Sequence, residues 1–515
     1  MEHRRSGSRI VLFLGAAMYA LFAAFGHQAQ HLGGSDIPRA LMTAAALFVP
    51  VCLILRALFA MEQRRKCAAG GEFRAVYAFC VILVCYVPMF LIAFPGAFGY
   101  DVPFQLEQVF TGAYSSHHPL LHTLIMGGCV RLGHALGRIN LGAALYTALQ
   151  IVSLAACAAL TCASIARQSG ARAAKWSAVF FAVYPLHMMM AVCATKDVLF
   201  SGLFALTAAL LRERLVMKSV PRGMTAWIAV CGAAMMLMRN NALYAVAVWL
   251  VLVLIMVRRR AFAVLGAGLL AVVLYFGANT AMKAATNAAE GDLCEMLSWP
   301  IQQMARARNL HGDRLTQEEK QVIDMLMPGN SWQLYDPTIS DPVKFEFDTQ
   351  AFLSDVSRCA QVYLSVGAKC PQAYFDALLV HTYSFWYPYS EYGVSGYYLQ
   401  LGISDAYYDW CDFERIESRS LFPRVLASLS WRFGAKGAMQ IPVIGYLFNM
   451  GLIVWVMLYF VLREAFFGRI RSLAAALLPV LLWGTFLLGP VMAGRYIYPF
   501  VCVLPVLASV PRGEE

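Results

Sequence analysis

The chain carries little charge for its size. Only 14% of its 515 residues are Asp, Glu, Lys or Arg, while 60% are hydrophobic. A soluble enzyme of this length needs no such apolar surface, so that class is excluded. The 14 Cys form no Cys-x-x-Cys pair and no Cys/His spacing of the zinc type, which argues against structural zinc. Ten of them lie in or beside apolar runs, where Cys behaves as a small hydrophobe. Strand signals are weak. No internal repeat is visible, which argues mildly against transporters built from inverted repeats. No small-residue cleavage site follows the first apolar run, Ile10 to Gly26, so it reads as a retained span behind Arg4, Arg5 and Arg9.

What the chain does have is apolar runs of bilayer length. A spanning helix needs about 20 apolar residues and satisfies its own backbone hydrogen bonds. The expected fold is therefore an all-α polytopic membrane protein. Twelve spans are predicted, at 10–27, 39–59, 74–94, 140–166, 176–194, 197–211, 224–238, 241–257, 261–280, 440–462, 472–490 and 495–511.

The formal net charge of +11 has a pattern. Lys283 to Lys436 carries a net −6, so the rest carries +17, mostly in short loops between apolar runs. With the N-terminus in the cytoplasm, the inside loops hold Arg64-Arg65-Lys66, Arg167/Arg172/Lys175, Arg212/Arg214/Lys218/Arg222, Arg258-Arg259-Arg260 and Arg463/Arg469/Arg471. The short outside loops hold only Arg39, Lys196, Arg239 and Arg495. This positive-inside pattern sets the orientation, with both termini cytoplasmic in the cytoplasmic (plasma) membrane. It needs no nucleic-acid partner.

The register requires that Pro119 to Leu136 does not cross. It contains His122, Arg131 and His134, and an Arg at the bilayer centre costs about 2.5–3.5 kcal/mol on insertion scales. A helix lying in the outer interface avoids that cost. The organisation expected is a three-span segment (1–94), an external loop with interfacial helices (95–139), a six-span segment (140–280), an external, mostly helical domain (281–439) and a three-span segment (440–515). In the external domain, Thr316-x-x-Glu319 is a capping-box signature for a helix through about Met327. Pro371 opens another, reaching about Phe385. The aromatic cluster Tyr383 to Tyr392 suits an interfacial belt or a domain core. Cys294, Cys359, Cys370 and Cys411 lie there, and one or two disulfides can form among them.

The richest stretch runs from Phe94-Pro95-Gly96-Ala97-Phe98-Gly99-Tyr100-Asp101 to Ser115-Ser116-His117-His118-Pro119. It puts a lone carboxylate and a His pair at the membrane surface. Gln105 follows on the same loop. Lys196-Asp197, Arg239-Asn240-Asn241 and Arg495-Tyr496 sit at other hairpin ends on the same side. A site assembled from loop ends draws on such a set. Asp101 can act as general base or as an oxygen ligand to a divalent cation. Lys and Arg can hold a phosphate leaving group. Each also has a plainer reading: Asp101 as a helix cap, the His pair as an exposed turn, Lys196-Asp197 as a local ion pair, Arg239 and Arg495 as span anchors.

These phrases, together with Thr195-Lys196-Asp197, Met238-Arg239-Asn240-Asn241, Trp299-Pro300-Ile301-Gln302-Gln303 and Gly494-Arg495-Tyr496, resemble the GT-C superfamily of membrane glycosyltransferases. That group includes protein O-mannosyltransferases and the aminoarabinose transferases of lipid A. The likeness is greatest to an uncharacterised bacterial branch of such proteins. The resemblance implies an inverting transfer of sugar from a polyprenyl-phosphate donor to an envelope glycan, lipid or protein at the extracytoplasmic face. It implies Asp101 as base or metal ligand, and Lys196, Arg239 and Arg495 as lipid-phosphate ligands. His117, His118, Gln105, Asp197, Asn240 and Tyr496 complete the candidate substrate site. Two departures stand out. Asp101 is followed by Val102, so no Asp-Glu or Asp-x-Asp pair exists, and two extra spans precede the loop. The rival readings are a lipid-linked-sugar flippase or transporter, an envelope polysaccharide polymerase or ligase, and a non-catalytic assembly protein. Span interiors nearly free of charge weigh against transport.

Overall fold

A computed structural model describes residues 2–64, 71–258, 261–390, 399–403, 415–434 and 442–512. Arg65, Lys66, Arg259, Arg260, Tyr392 and Cys411 lie outside these residues. Among the described residues the protein is helical, with only isolated β-bridges. The N-terminal part comprises α1 (Glu2–Leu32), α2 (Ile37–Arg64), α3 (Ala75–Ile92), α4 (Val102–Thr111) and α5 (Leu120–Ala135). The central part comprises α6 (Ile139–Ser169), α7 (Ala171–Val183), α8 (Pro185–Val192), α9 (Lys196–Val216), α10 (Met224–Met238), α11 (Ala242–Val257) and α12 (Ala261–Thr286). A polar unit follows, with α13 (Ser298–His311), α14 (Gln317–Leu326), α15 (Asp341–Lys344), α16 (Thr349–Ser354), α17 (Val356–Lys369), α18 (Pro371–Thr382) and α19 (Pro423–Gly434). The chain closes with α20 (Met450–Phe466), α21 (Ile470–Leu487) and α22 (Tyr498–Ala508).

Among the described residues, six helices are long and apolar enough to cross a membrane: α2, α3, α6, α12, α21 and the Gly7–Leu32 part of α1. Their exposed faces carry Val81, Val84, Leu53, Ile54, Val273 and Phe276, which only a lipid solvent would favour. A helix occupies every one of the twelve apolar stretches, but two differ from the expected form. The 176–194 stretch is broken, because Pro185 forces Tyr184 into an extended conformation (φ −67°, ψ 121°). In the 440–462 stretch a 3-10 turn at Ile444–Phe448 precedes the α-helix, which begins at Met450, where the Asn449 side chain accepts the Leu452 N–H.

Helix α9 is the axis of the bundle. Nearly all its residues are buried, and it packs against α6, α10, α21 and α22. It runs parallel to α6: Gln150 meets the carbonyls of Ala191 and Cys193 just before α9, and Arg167 meets Glu213 near its end. The first eleven residues of α6 therefore stand about 16 Å beyond the start of α9. Helix α5 lies beside them, joined through a close approach of Gly133 and Gly142, where a Cβ on Gly133 would lie 2.4 Å from the Gly142 nitrogen. At the other end gather Arg167, Arg212, Arg463 and Arg469.

The polar unit has its own core, with Ile301, Met304, Val322, Ile323, Leu326, Val343, Val362 and Val366. The Thr316/Glu319 capping box is formed in both directions at the start of α14. Pro371 opens α18, which passes into a tight turn at Tyr383–Phe385. Cys294, Cys359 and Cys370 are buried free thiols rather than disulfides.

Candidate functional site

Two chain segments are laid side by side to build the site. Beyond α3, the Ala97 N–H donates to Val192 O and the Ala194 N–H to Ala97 O, each at 2.8 Å. This parallel bridge brings the chain leading to Asp101 against the chain leading to Lys196. Gly96 makes the approach feasible: its φ is +142°, and a Cβ there would lie 2.2 Å from Thr147 Oγ1. Gln150, buried in α6, donates to Ala191 O (2.9 Å) and Cys193 O (2.8 Å) and fixes the same segment from below. Thr195 caps α9 through the Asp197 N–H.

Asp101 occupies the N-cap position of α4, yet its side chain makes no capping bond. It turns instead to two cations. Arg495 grips it with both Nη atoms, each at 3.2 Å, and Lys196 Nζ donates to Oδ2 at 2.9 Å. Behind this layer lies Asp197, fully buried, paired with Arg239 Nη1 and 3.5 Å from Arg495 Nε. Lys196 and Asp197 are thus not partners of each other. Tyr496 lies between the two arginines, with the Arg239 guanidinium 4.2 Å and that of Arg495 5.2 Å from its ring centre. The result is a chain of alternating charge, Lys196–Asp101–Arg495–Asp197–Arg239, exposed at its Asp101 end (22% for that side chain) and closed at its Asp197 end.

Of the other sequence candidates, His118 joins this cluster. It is buried, with Nδ1 3.4 Å from Lys196 Nζ and 3.9 Å from Asp101 Oδ2. The lysine donates, so Nδ1 accepts and the neutral ring carries its proton on Nε2. Three candidates are not brought in. His117 is exposed, its ring edge-on to His118. Asn240 is exposed and accepts from the Tyr275 hydroxyl at 3.4 Å. Gln105 is buried in a separate network, bonded to Thr123 (2.9 Å) and His122 (3.1 Å), which continues through Tyr146 to Gln150. That network locks α4 and α5 onto α6.

Three contributors escaped the sequence reading. Tyr100 has φ +52° and lies with its ring centre 4.6 Å from the Arg495 guanidinium. Its unusual backbone is held by Gln400, which takes its N–H and donates its own to the Tyr100 hydroxyl at 2.8 Å. Phe486 supports the outer face of Arg239 at 4.3 Å. The polar unit holds the loop that delivers Arg495: Trp299 Nε1 donates to Leu487 O (2.7 Å), His381 Nε2 lies 2.9 Å from Gly489 O, and Ser340 N donates to Pro490 O (2.9 Å). Isolated aromatic and hydroxyl residues give no local signal of such roles.

Burial alone pushes the Asp101 carboxyl up, but Arg495, Lys196 and His118 outweigh it and hold it well below the usual carboxylate range. Burial, reinforced by Lys196, lowers His118 to about 3, against the pull of Asp101. A divalent cation does not suit this donor set. Both Asp101 oxygens already face Lys196 or Arg495, Asp197 is claimed by two arginines, and no cluster of three or more His, Cys, Asp or Glu occurs among the described residues. With three cations against two carboxylates the cluster keeps one excess positive charge, which can meet an anion, and it has one carboxylate at its mouth.

Comparison with known proteins gives a family and no activity. No curated protein and no solved structure matches the chain. The match to DUF6020, described as a family of unknown function, covers residues 110–510. It takes in Lys196, Asp197, Arg239 and Arg495 and begins just after Asp101. The chain therefore belongs to the DUF6020 family.

Proposed function

We propose that this protein is a GT-C-type membrane glycosyltransferase, moving a sugar from a polyprenyl-phosphate donor to an envelope acceptor at the outer face of the cytoplasmic membrane. The fold in this reading has twelve crossings and both termini inside. One observation carries the proposal: Asp101 lies between Lys196 and Arg495 at the end of the bundle opposite the basic loops.

Charge supports the donor class. The three cations and two carboxylates of the cluster sum to +1, which a phosphodiester of charge −1 neutralises. The acceptor oxygen bonds to the anomeric carbon as the bond from that carbon to the phosphate oxygen breaks. Lipid phosphate leaves with the bonding pair, and the hydroxyl proton passes to Asp101. A single displacement inverts the anomeric configuration. In the resting site Asp101 is a weak base, because its cations hold its pKa down. A donor phosphate competes for Arg495 and Lys196, and their withdrawal makes the carboxylate more basic as the acceptor needs it. Lys196 and Arg495 then offset the charge that grows on the leaving phosphate.

The test is transfer of radiolabel from polyprenyl-phosphate sugars by the purified, reconstituted protein, with envelope extract as acceptor. Asp101→Asn should abolish transfer while leaving the protein inserted; near-normal turnover would remove Asp101 from the mechanism. Label that crosses the bilayer without covalent transfer would favour the flippase reading.

A further inference from the structure

Helix α19 is a second feature with unexplained chemistry. It has twelve residues, a length at which an isolated helix is marginal in water. Among its described side chains only Phe433 is buried, with Leu426 and Leu429 half-buried against the bundle core. The opposite side presents Arg424, Val425, Trp431 and Arg432 to the outside, Trp431 being 67% exposed. The helix contains no acid.

Its position is fixed by backbone bonds. Just before it, the Arg419 N–H donates to Phe94 O (2.9 Å) and the Leu421 N–H to Leu91 O (3.1 Å). Leu91 is in the last turn of α3, where a helix leaves its C=O groups unpaired, and Phe94 lies two residues past its end. Helix α19 is thus tied to the depth at which α3 ends and the chain turns toward Asp101. Helix α3 exposes Val76, Tyr77, Val81, Val84 and Val87, so the surface next to α19 is lipid-facing. Exposed Leu421 and Phe422 continue that apolar surface onto the start of α19. An outward mixture of Trp and Arg is the composition of the headgroup layer, and basic residues there attract anionic lipid.

We propose that α19 is a binding site for anionic phospholipid. It lies in the plane of the membrane at the end of α3, with Arg424 and Arg432 on headgroup phosphates and Phe422 and Trp431 in the interfacial layer. The site is independent of the transferase reading, and it sets the depth at which the Asp101 cluster meets the membrane.

Photocrosslinking tests this on the full chain in nanodiscs of phosphatidylcholine and phosphatidylglycerol. Trp431 is replaced by p-benzoylphenylalanine, and Val81 by the same group as a lipid-facing control. Mass spectrometry should find a phospholipid adduct at position 431, with phosphatidylglycerol enriched several-fold over its share of the disc. Arg424→Glu with Arg432→Glu should return the adduct to the bulk lipid ratio. A bulk ratio in the unaltered chain overturns the proposal. So does the absence of a lipid adduct at 431 while the Val81 control labels. An adduct to a second copy, or to another protein in native membranes, would also overturn it.

Discussion

At one end of α9 stand Lys196 and Asp197; at the other, about 24 Å away along the helix, stand Arg212 and Glu213. Both ends are buried and both are ionic, but their partners differ in kind. Arg212 donates to Gln168, to Val506 O and to Ser509, while Glu213 takes Arg167 at 2.6 and 2.8 Å and the Ser164 hydroxyl at 2.6 Å. Beside them Arg463 donates to Leu507 O and Ala508 O. These cations close the carbonyl end of α22, a task that any helix C-terminus presents. Carboxylates serve both ends, since Arg463 also takes Glu464 and Arg167 takes Glu213, but the cations at the Lys196 end are held by side chains, carboxylates and aromatic rings, and not by a helix terminus. A carboxylate can yield its cation to an incoming anion, whereas a helix end keeps its own. Buried charge alone therefore does not mark a site; the exchangeability of the partner does.

The largest expected difference is in turnover. Asp101→Asn should lower transfer by about 10²–10⁴-fold, the contribution of a positioned general base. Glu213→Gln should leave turnover per folded molecule unchanged. Radiolabel transfer normalised to inserted protein measures both. A comparable loss from Glu213→Gln would break the distinction between the two ends.

Stability should reverse the order within the Lys196 end. Asp197→Ala leaves Arg239 and Arg495 without their shared buried acid, and removing one partner of a buried pair costs about 3–5 kcal/mol. Glu213→Ala should cost less, about 1–3 kcal/mol, because Arg167 is 41% exposed and can turn to solvent. Unfolding of the two variants in one detergent compares them directly. Equal losses would show that Asp197 is no more deeply committed than Glu213.

A charge-preserving change sharpens the contrast. Arg495→Lys keeps the positive charge but loses the two-pronged grip on Asp101. It should lower kcat/KM by roughly 10- to 100-fold, the worth of one or two hydrogen bonds to a charged group. Arg212→Lys should move the melting temperature and not the kinetics.

The sequence exposes one kind of information and hides another. Apolar runs and end caps are local, so the helices and the Thr316/Glu319 box could be read directly. Charges isolated between apolar runs drew attention to Asp101, Lys196, Arg239 and Arg495 for the same reason. Partner choice is not local. Lys196 and Asp197 are neighbours in the chain, yet each pairs with a residue about 40 or more positions away. Side-chain direction was hidden too. His117 and His118, or Arg239 and Asn240, are adjacent, and in each pair only one faces the cluster. The Ala97–Cys193 bridge that aligns the two loops is made of backbone and small side chains, which leave no pattern. Helix α19 is short and mixes Arg with Trp, so it gave no apolar run to find.

The smallest predicted effect concerns pH and belongs to the Lys196 end. His118 titrates at about 3 in the folded protein, against about 6.5 for a free side chain. Buried His122, also brought down to about 3, behaves the same way. Between pH 6.5 and 3 the unfolded chain binds protons that the folded chain refuses, so stability falls as pH drops through that window. Each histidine contributes at most about 1.4 kcal/mol per pH unit. Asp101 shifts in the same direction but acts lower on the scale: its carboxyl is held down, so its contribution is present above about 3.9 and is lost as the pH falls below that. Melting temperatures from pH 7.5 to 5 should therefore decline, and His118→Asn should flatten part of the slope. A slope indifferent to His118→Asn would mean that the ring beside Lys196 is not kept neutral by the fold.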